Sequence, residues 1–545
     1  MSDSTAGFAQ RDALWRELEQ GGEPWDMIVV GGGIIGAGVL REAARRGLRV
    51  LLVEQRDFAW GTSSRSSKMV HGGLRYIASG DIKLTRDAVR ERERLLREAP
   101  GLIDRMGYYF TLRRGQFPGR FVFSALLSLY DRMAGIRNHR YFDTPALQSL
   151  FSGINKVGLK GAVYYTDTVT DDARLVLRVL QEAVGAGAHA LNYVRVESLL
   201  QEKGQVRGAV LHNVESGARI ELLAKSVVSA TGAWADRLRN ELNPEKRIRP
   251  LRGSHLVLPM SRLPVCDALT VFHPEDKRPV FIFPWEGTTV VGTTDLDHNE
   301  NLDDEPTISE EEVDYLLQLV QWQFPEHNIT RADVISTWSG IRPVIGSDKA
   351  LDPSKERRDH AVWCDGGLVT VSGGKLTTFR LIALDAINAA LGAVDMQVQE
   401  PTSEAVFSEP TVTPDDLPVA DVAWAKRLIG RYGDSVVALF DSGDASEALP
   451  IDGTQFCLAE CRWAARHEAV LHLDDLLLRR TRLGCILEQG GAGFLPALQA
   501  ICAEELGWDE ARWQAEVTRY LDLWQRHYFL PGQQCAAENA AGAAP

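Results

Sequence analysis

The chain has 545 residues, 45% hydrophobic and 25% charged, with a formal net charge of -14. That length calls for two or three domains, and the balance excludes both wholesale disorder and a multi-span membrane protein. The negative charge also excludes broad association with nucleic acid, which rests on neutralising many phosphates, so a small anionic ligand would need a local cationic pocket.

The first 24 residues read as a polar leader. Met1 to Gln20 has no basic segment followed by an apolar run, so no secretory signal and a cytoplasmic location are expected. Seven cysteines, odd in number and without zinc spacing, fit a reducing compartment, and Cys457 and Cys461 read as buried thiols. No metal site is expected.

Asp26 to Val30 reads as a buried strand entering Gly31-Gly-Gly-Ile-Ile-Gly36. A helix follows with apolar Val39, Leu40, Ala43 and Ala44, closed by Arg45, Arg46 and Gly47, as the helix dipole and a left-handed cap favour. Val50 to Val53 is a second strand, ended by Glu54, which completes a βαβ unit. Met27 to Leu40 is shorter than the roughly 20 residues a spanning helix needs. In this context Gly31 permits a tight turn, Gly33 lets a pyrophosphate approach the backbone, and Gly36 packs helix on strand. The phosphates then sit at the helix N-terminus, and Glu54 is placed for a ribose hydroxyl.

Further strands are expected at Val227 to Ala230 and Val369 to Ser372, so one nucleotide domain is assembled from separated pieces. The intervening segments carry aromatics and alternating strands, such as Val280 to Pro284 and Thr289 to Val291, suited to a substrate-facing sheet. Past Pro401, Pro410 and Pro414 the pattern turns helical, with heptad-like Ala465, Ala469, Leu473 and Leu477. The expected fold is therefore α/β. A Rossmann-like domain spans about 25–110, 165–245 and 335–398; an interleaved α+β substrate domain spans about 111–164 and 246–334; a C-terminal helical domain spans 399–535, before a flexible tail over 536–545.

An NAD domain tends to be contiguous, whereas a buried flavin ring needs contacts from several later segments. Thr62 to Gly73, Ala230-Thr-Gly232 and Ser372 to Thr378 could supply them, which favours FAD. Thr62, Ser63 and Ser67 offer hydroxyls to phosphate or ribitol, and Gly72, Gly73, Gly373 and Gly374 let main chain approach the rings. Lys68, Ala230, Thr231, Gly232, Leu376 and Thr377 complete the cofactor set.

Seven motifs occur in order: Thr62-Ser-Ser-Arg-Ser-Ser-Lys68 leading to His71-Gly-Gly-Leu-Arg-Tyr76, Asp171-Asp-Ala-Arg-Leu175, Gly253-Ser-His255, Gly292-Thr-Thr-Asp295, Ser339-Gly-Ile-Arg-Pro343, Gly373-Gly-Lys-Leu-Thr-Thr378 and Arg479-Arg-Thr-Arg482. Through them the chain, from Asp26 to about residue 484, resembles the aerobic FAD-dependent glycerol-3-phosphate dehydrogenases of the wider D-amino-acid-oxidase-like flavoenzymes. The resemblance implies oxidation of sn-glycerol 3-phosphate to dihydroxyacetone phosphate by hydride transfer from C2 to the flavin. A membrane quinone, or oxygen in some members, would be the acceptor. Two positions depart from the family pattern: Ile35, where many members carry Asn or Thr, and Arg252, where Lys is common.

Such an oxidation needs a base. The resemblance, and a pKa naturally near neutrality, favour His255. The alternatives are that His255 only shapes its loop, or that His71 is the base. Arg75, Arg342 and Lys375 are expected to meet the phosphate and the developing alkoxide, with Tyr76 adding a hydroxyl; which cation meets which oxygen is open. Phe117 to Met133 holds Phe121, Val122, Phe123, Ala125, Leu126, Leu127 and Leu129 between Arg113, Arg114, Arg120 and Arg132. It reads either as an interfacial patch or as a buried helix. The resemblance favours peripheral attachment to the cytoplasmic face of the inner membrane, where a quinone resides. The helical tail could form a homodimer or cap the flavin domain. Two rival functions are an amine or 2-hydroxy-acid oxidase of the same fold, which would recognise a carboxylate, and a non-catalytic flavin-binding protein.

Overall fold

The structure is a computed structural model that describes residues 11–74, 77, 81–346, 359–394, 396 and 398–533. Strands β1 (Trp25–Val30) and β2 (Val50–Val53) flank the helix Ile34–Ala44, and Gly47 closes that turn with φ +75°, which glycine accepts without strain. β3 (Ile103–Arg113), β4 (Arg140–Phe142) and β5 (Leu159–Thr170) come next. They are followed by β6 (His189–Leu191), β7 (Val194–Glu202), β8 (Gln205–Asn213) and β9 (Arg219–Ser229). β10 (Ile248–Pro259), β11 (Ala268–Phe272), β12 (Pro279–Trp285), β13 (Thr288–Gly292) and β14 (Leu296–Asp297) precede β15 (Ser336–Ile345). β16 (His360–Asp365) and β17 (Leu368–Gly373) complete the strands.

The first sheet runs β16-β17-β9-β1-β2-β6, with β17, β9, β1, β2 and β6 parallel and β7–β8 continuing antiparallel from β9. Its central strands are apolar on both faces because both faces are covered. Met27 and Val29 pack on the helices Ile34–Ala44, Asp172–Gly185 and Phe379–Ala393. The alternate residues Ile28 and Val30 pack with Trp15, Leu18 and Val194 on the opposite side. Leu376–Ala393 is apolar and long enough to cross a membrane, yet half of it is buried, and a Cβ on Gly38 would already stand 3.0 Å from the Phe379 ring.

The second sheet runs β14-β10-β13-β12-β11-β3-β5-β4, with β15 also paired to β10. β15 pairs with β10 from Ile248↔Ile345 to Val257↔Ser336, and β3 with β5 from Ile103↔Thr170. These continuous ladders correct the division expected from sequence. Residues 103–110, 165–170 and 336–345 belong to the substrate-side sheet and not to the nucleotide part.

The C-terminal part is helical, with Val422–Tyr432, Leu458–His467, Leu495–Leu506 and Glu510–His527 among its elements. The heptad-like spacing does not make one helix, however. Leu458–His467 ends before Ala469, which has φ +51°, and the chain re-enters helix at Leu473 before a π turn over Leu476–Arg480. One core within this part joins Leu428, Val436, Cys457 and Trp463. A larger one buries Leu473, Leu477, Trp513 and Trp524 with Trp285 and Trp338 of the second sheet.

Candidate active site

Gly31 leaves β1 with φ +110°, and a Cβ there would stand 2.6 Å from the Ala230 carbonyl oxygen. At Gly36 a Cβ would fall 1.8 Å from the Gly31 oxygen, so helix and strand approach only because both residues are glycine. At Gly33 it would meet only the Ser63 side chain, nearest at Oγ, 3.1 Å away. The same hydroxyl accepts the Ile34 N–H at 3.0 Å, satisfying one free donor of the helix. Glu54 ends β2 and accepts the N–H groups of Gly32 at 2.7 Å and Arg56 at 2.9 Å. Burial nevertheless pushes its carboxyl above the usual range.

A cleft opens over this loop. Of the residues expected to hold the cofactor, Gly31, Gly33, Glu54, Thr62, Ser63, Ala230, Thr231, Gly232, Gly373, Gly374 and Leu376 line it, together with Lys375. Gly232, Gly373 and Gly374 have φ of +57°, +82° and +73°, and a Cβ on Gly232 would meet nothing within 4 Å. Main chain from three distant segments thus lines the cleft beside a helix N-terminus and a strand-end carboxylate, which fits a long dinucleotide. Sequence reasoning missed Trp60, Val194, Arg195, Val196, Trp234 and Arg237, which also line the cleft. For Val194, Arg195 and Val196 the only signal was the alternation of apolar and charged residues that opens β7; Trp60, Trp234 and Arg237 lie outside that strand and carried none. Ile35 presents an apolar side chain to the cleft where a polar one is common.

Other expected cofactor residues lie elsewhere. Gly36 is behind the loop. The Gly72 N–H donates to Asp167 at 3.1 Å, and a Cβ there would strike the Tyr130 hydroxyl at 2.2 Å, so Gly72 serves packing. The Gly73 N–H donates to His71 Nδ1 at 3.2 Å, and the Thr377 hydroxyl donates to the His71 carbonyl at 3.0 Å, so these residues brace one another. Lys68 is a correction. It is buried, with Nζ 2.6 Å from the Ser64 carbonyl oxygen and 2.8 Å from Asp172, so its charge is spent on an ion pair away from the cleft. Burial and then Arg482 bring its pKa down to about 8, against the pull of Asp172. Arg75 and Tyr76 lie outside the described residues.

His255 lies on β10 opposite Gly292 of β13 and Trp338 of β15. Its ring stacks on Trp338 at 5.1 Å between centroids and occupies the space a Cβ on Gly292 would need, 2.2 Å from Cδ2. Nε2 is 2.9 Å from Ser67 Oγ, while Nδ1 is buried with no hydrogen-bonding partner among the described residues. Burial first, then Arg342 and Lys68, hold its pKa well below 6.5, so the imidazole is neutral near pH 7. Arg342 of β15 donates to Asp295 at 2.9 Å and to Thr293 Oγ1 at 3.1 Å, and lies against Gly253, where a Cβ would be 2.4 Å from Nη2. Three of the motifs read from sequence, ending at His255, Asp295 and Pro343, are therefore adjacent pieces of one sheet. Pro343 and Lys375 both reach the cleft, which joins this cluster to the nucleotide end. Arg252 pairs instead with the buried Glu312, Nη2 to Oε2 at 2.9 Å, so its departure from Lys falls on a structural ion pair.

Residues 26–380 match the FAD dependent oxidoreductase family, and residues 397–513 match the C-terminal domain of alpha-glycerophosphate oxidase. The aerobic glycerol-3-phosphate dehydrogenase of Bacillus subtilis is 34% identical over 499 residues, spanning 87% of this chain and 89% of the relative. The chain belongs to the FAD-dependent glycerol-3-phosphate dehydrogenase family. Glycerol-3-phosphate dehydrogenase 2 of Mycobacterium tuberculosis is also 34% identical, over 544 residues, covering 94% of this chain and 90% of the relative. The structure of the glycerol-3-phosphate dehydrogenase from Bacillus halodurans, complexed with FAD, superposes with a TM-score of 0.75 at 27% identity over 97% of this chain and 99% of that one.

In this family member the Arg479-Arg-Thr-Arg482 motif ties the C-terminal helices to the catalytic core. Asp57, in the loop after β2, accepts Arg480 Nη1 at 2.6 Å and Nη2 at 2.8 Å, Asn192 at 3.0 Å, and Arg479. Burial alone would raise its pKa, but Arg480 and Arg479 outweigh it and hold the carboxyl below its usual range. Arg482 donates to Asp171 at 3.1 Å and to the Ser64 carbonyl at 2.8 Å, while Arg431 reaches Asp171 at 2.8 Å. These buried charges are all paired, which is what makes them tolerable.

Proposed function

We propose that this protein oxidises sn-glycerol 3-phosphate at C2 to dihydroxyacetone phosphate with FAD as cofactor. The observation that carries this reading is the juxtaposition of a neutral, buried imidazole having one unpartnered nitrogen with Arg342, whose chain neighbour Pro343 lines a glycine-rich dinucleotide cleft together with Lys375. FAD, when bound, supplies the acceptor for the two electrons that leave C2 as hydride. His255 takes the proton of the C2 hydroxyl. Arg342, its orientation fixed by Asp295 and Thr293, and Lys375 neutralise the phosphate and the developing alkoxide. Glycines at 253 and 292 leave the space that the guanidinium and the imidazole occupy, so both groups are held in place before charge develops. Anaerobic mixing of the FAD-loaded protein with glycerol 3-phosphate, glycerol, lactate or glycine tests the donor. Glycerol 3-phosphate alone should bleach the flavin quickly; faster bleaching by lactate or glycine would assign the site to a carboxylate substrate.

For the acceptor we infer a bilayer quinone, with the protein held on the cytoplasmic face of the inner membrane by the helix Arg120–Ala134 and the turn before it. Support comes from a division of faces. Phe123, Leu127 and Tyr130 point into the core, whereas Phe117 and Phe121 are 79% and 86% exposed, beside exposed Val122 and Leu129. From Arg113 to Phe142 the sequence carries six arginines and one carboxylate, Asp131, in a chain of net charge -14. An apolar ridge within a basic patch is suited to an anionic leaflet.

A further inference from the structure

The segment Ser64 to Lys68 runs between the cofactor cleft and the base. Ser66 lines the cleft, and the Ser67 hydroxyl lies 2.9 Å from His255 Nε2. Lys68 has φ +57°, a conformation that side-chain-bearing residues seldom hold unaided, so other groups must fix this stretch.

They do so from below. Asp172, the first residue of the helix Asp172–Gly185, is fully buried. Its Oδ2 accepts the Ser66 N–H at 2.9 Å and the Ser66 hydroxyl at 2.6 Å, and its Oδ1 accepts Lys68 Nζ at 2.8 Å. Arg482, from the C-terminal part, donates to the same Oδ1 and, through the same Nη2, to the Ser64 carbonyl at 2.8 Å. One carboxylate and one guanidinium therefore hold both ends of the segment. Trp338 is tied to the same piece of chain: its Nε1 donates to the Ser66 carbonyl at 3.2 Å, and the Lys68 ammonium lies 4.6 Å from its ring centroid. Trp338 in turn stacks on His255. Both the hydroxyl that contacts the imidazole and the ring that backs it are thus referenced to Asp172.

We infer that Asp172 is a positioning residue for the oxidation: clamped by Arg482, it fixes Ser66 and Lys68 and so holds the Ser67 hydroxyl against His255. This rests on His255 being the base of the proposed reaction. Asp172 binds Ser66, Lys68 and Arg482, the groups that set the His255 contact, so its loss should lower turnover and leave substrate affinity little changed. Displacing a reacting group by about 1 Å can cost on the order of a hundredfold in rate.

The test uses the full FAD-loaded chain. Ser66→Ala removes one hydrogen bond to Asp172 and keeps both ion pairs, so it remains informative if Asp172→Asn fails to fold. Each should lower kcat with glycerol 3-phosphate by about 10- to 100-fold with KM within about threefold. Ser67→Ala should give a similar loss, and Ser66→Ala combined with Ser67→Ala no more than either alone, because both act through one contact. In protein labelled with ¹⁵N-histidine, the ring signal absent from His255→Gln should move in Ser66→Ala. The inference is overturned if the two serine losses multiply, if KM changes while kcat does not, or if the His255 signal is unmoved. Should wild-type protein ignore glycerol 3-phosphate altogether, the proposed function fails, while the His255 signal still decides whether the clamp exists.

Discussion

Asp57→Asn removes one charge from a buried ion cluster that also holds Arg479, Arg480, Asp474 and Asp475, at almost constant volume. The carboxylate it replaces accepts two hydrogen bonds from Arg480, one from Arg479 and one from Asn192, all buried. Arg479 keeps Asp474 and Asp475, but Arg480 keeps only carbonyl contacts to Glu468 and a long approach to its carboxylate at 3.9 Å. Breaking a buried pair from one side costs about 3–5 kcal/mol, and the partners left to Arg479 put this case near the lower end, at about 3 kcal/mol. At about 1.4 kcal/mol per tenfold, that is roughly a hundredfold increase in the population with the C-terminal helices detached. Thermolysin cleavage around residues 468–482, measured where opening is fast relative to cutting, reads that population. The expected result is about a hundredfold faster cleavage, with hydrogen exchange in β1 and β9 unchanged. Cleavage within about twofold of wild type would show that the cluster does not hold the two parts together.

Three further outcomes follow from the geometry. Gly36→Ala, whose Cβ would meet the Gly31 oxygen at 1.8 Å, should yield protein without FAD, whereas Gly33→Ala should fold and bind FAD more weakly; equal flavin content in the two would reject the packing role. His472 hydrogen-bonds Glu516 at 2.9 Å and Glu215 at 3.2 Å; these carboxylates outweigh burial and raise its pKa to about 9. Its folded pKa exceeds the unfolded 6.5, so the stability it adds is complete below pH 6.5 and fades as pH rises toward 9, and the protection of Glu510–His527 against exchange, corrected for the pH dependence of the intrinsic rate, should fall over that window in wild type but not in His472→Gln. Phe121→Asp should abolish flotation with anionic vesicles in a folded protein, whereas Leu127→Asp, on the buried face, should lower the melting temperature; retained flotation in Phe121→Asp would exclude this helix as the anchor.

What sequence reveals here depends on how far apart the interacting residues are. The βαβ unit, its glycine loop and Glu54 lie within 30 residues, so periodicity and turn chemistry were enough to place them. Sheet membership was harder. β3 and β15 are largely buried strands of mixed composition that would suit either sheet, and only pairing over ten or more residues with β5 and β10 assigns them. Gly253, His255, Gly292, Asp295 and Arg342 were recognisable as motif residues, but not the fact that the two glycines leave room for a guanidinium and an imidazole. Lys68 was misjudged because its partner, Asp172, lies 104 positions away; a lysine among serines and glycines looks the same whether it faces a phosphate or a buried carboxylate. The role of Arg480 was hidden for the same reason, its partner Asp57 being 423 residues distant.

The central claim is tested most directly by single-turnover reduction of the enzyme-bound flavin without oxygen, using glycerol 3-phosphate carrying protium or deuterium at C2. Bleaching that slows on deuteration, and that falls by about 10² to 10⁴ in His255→Gln, is the predicted result. A flavin that stays oxidised with this donor, or a His255→Gln protein that reacts at the wild-type rate, would contradict it.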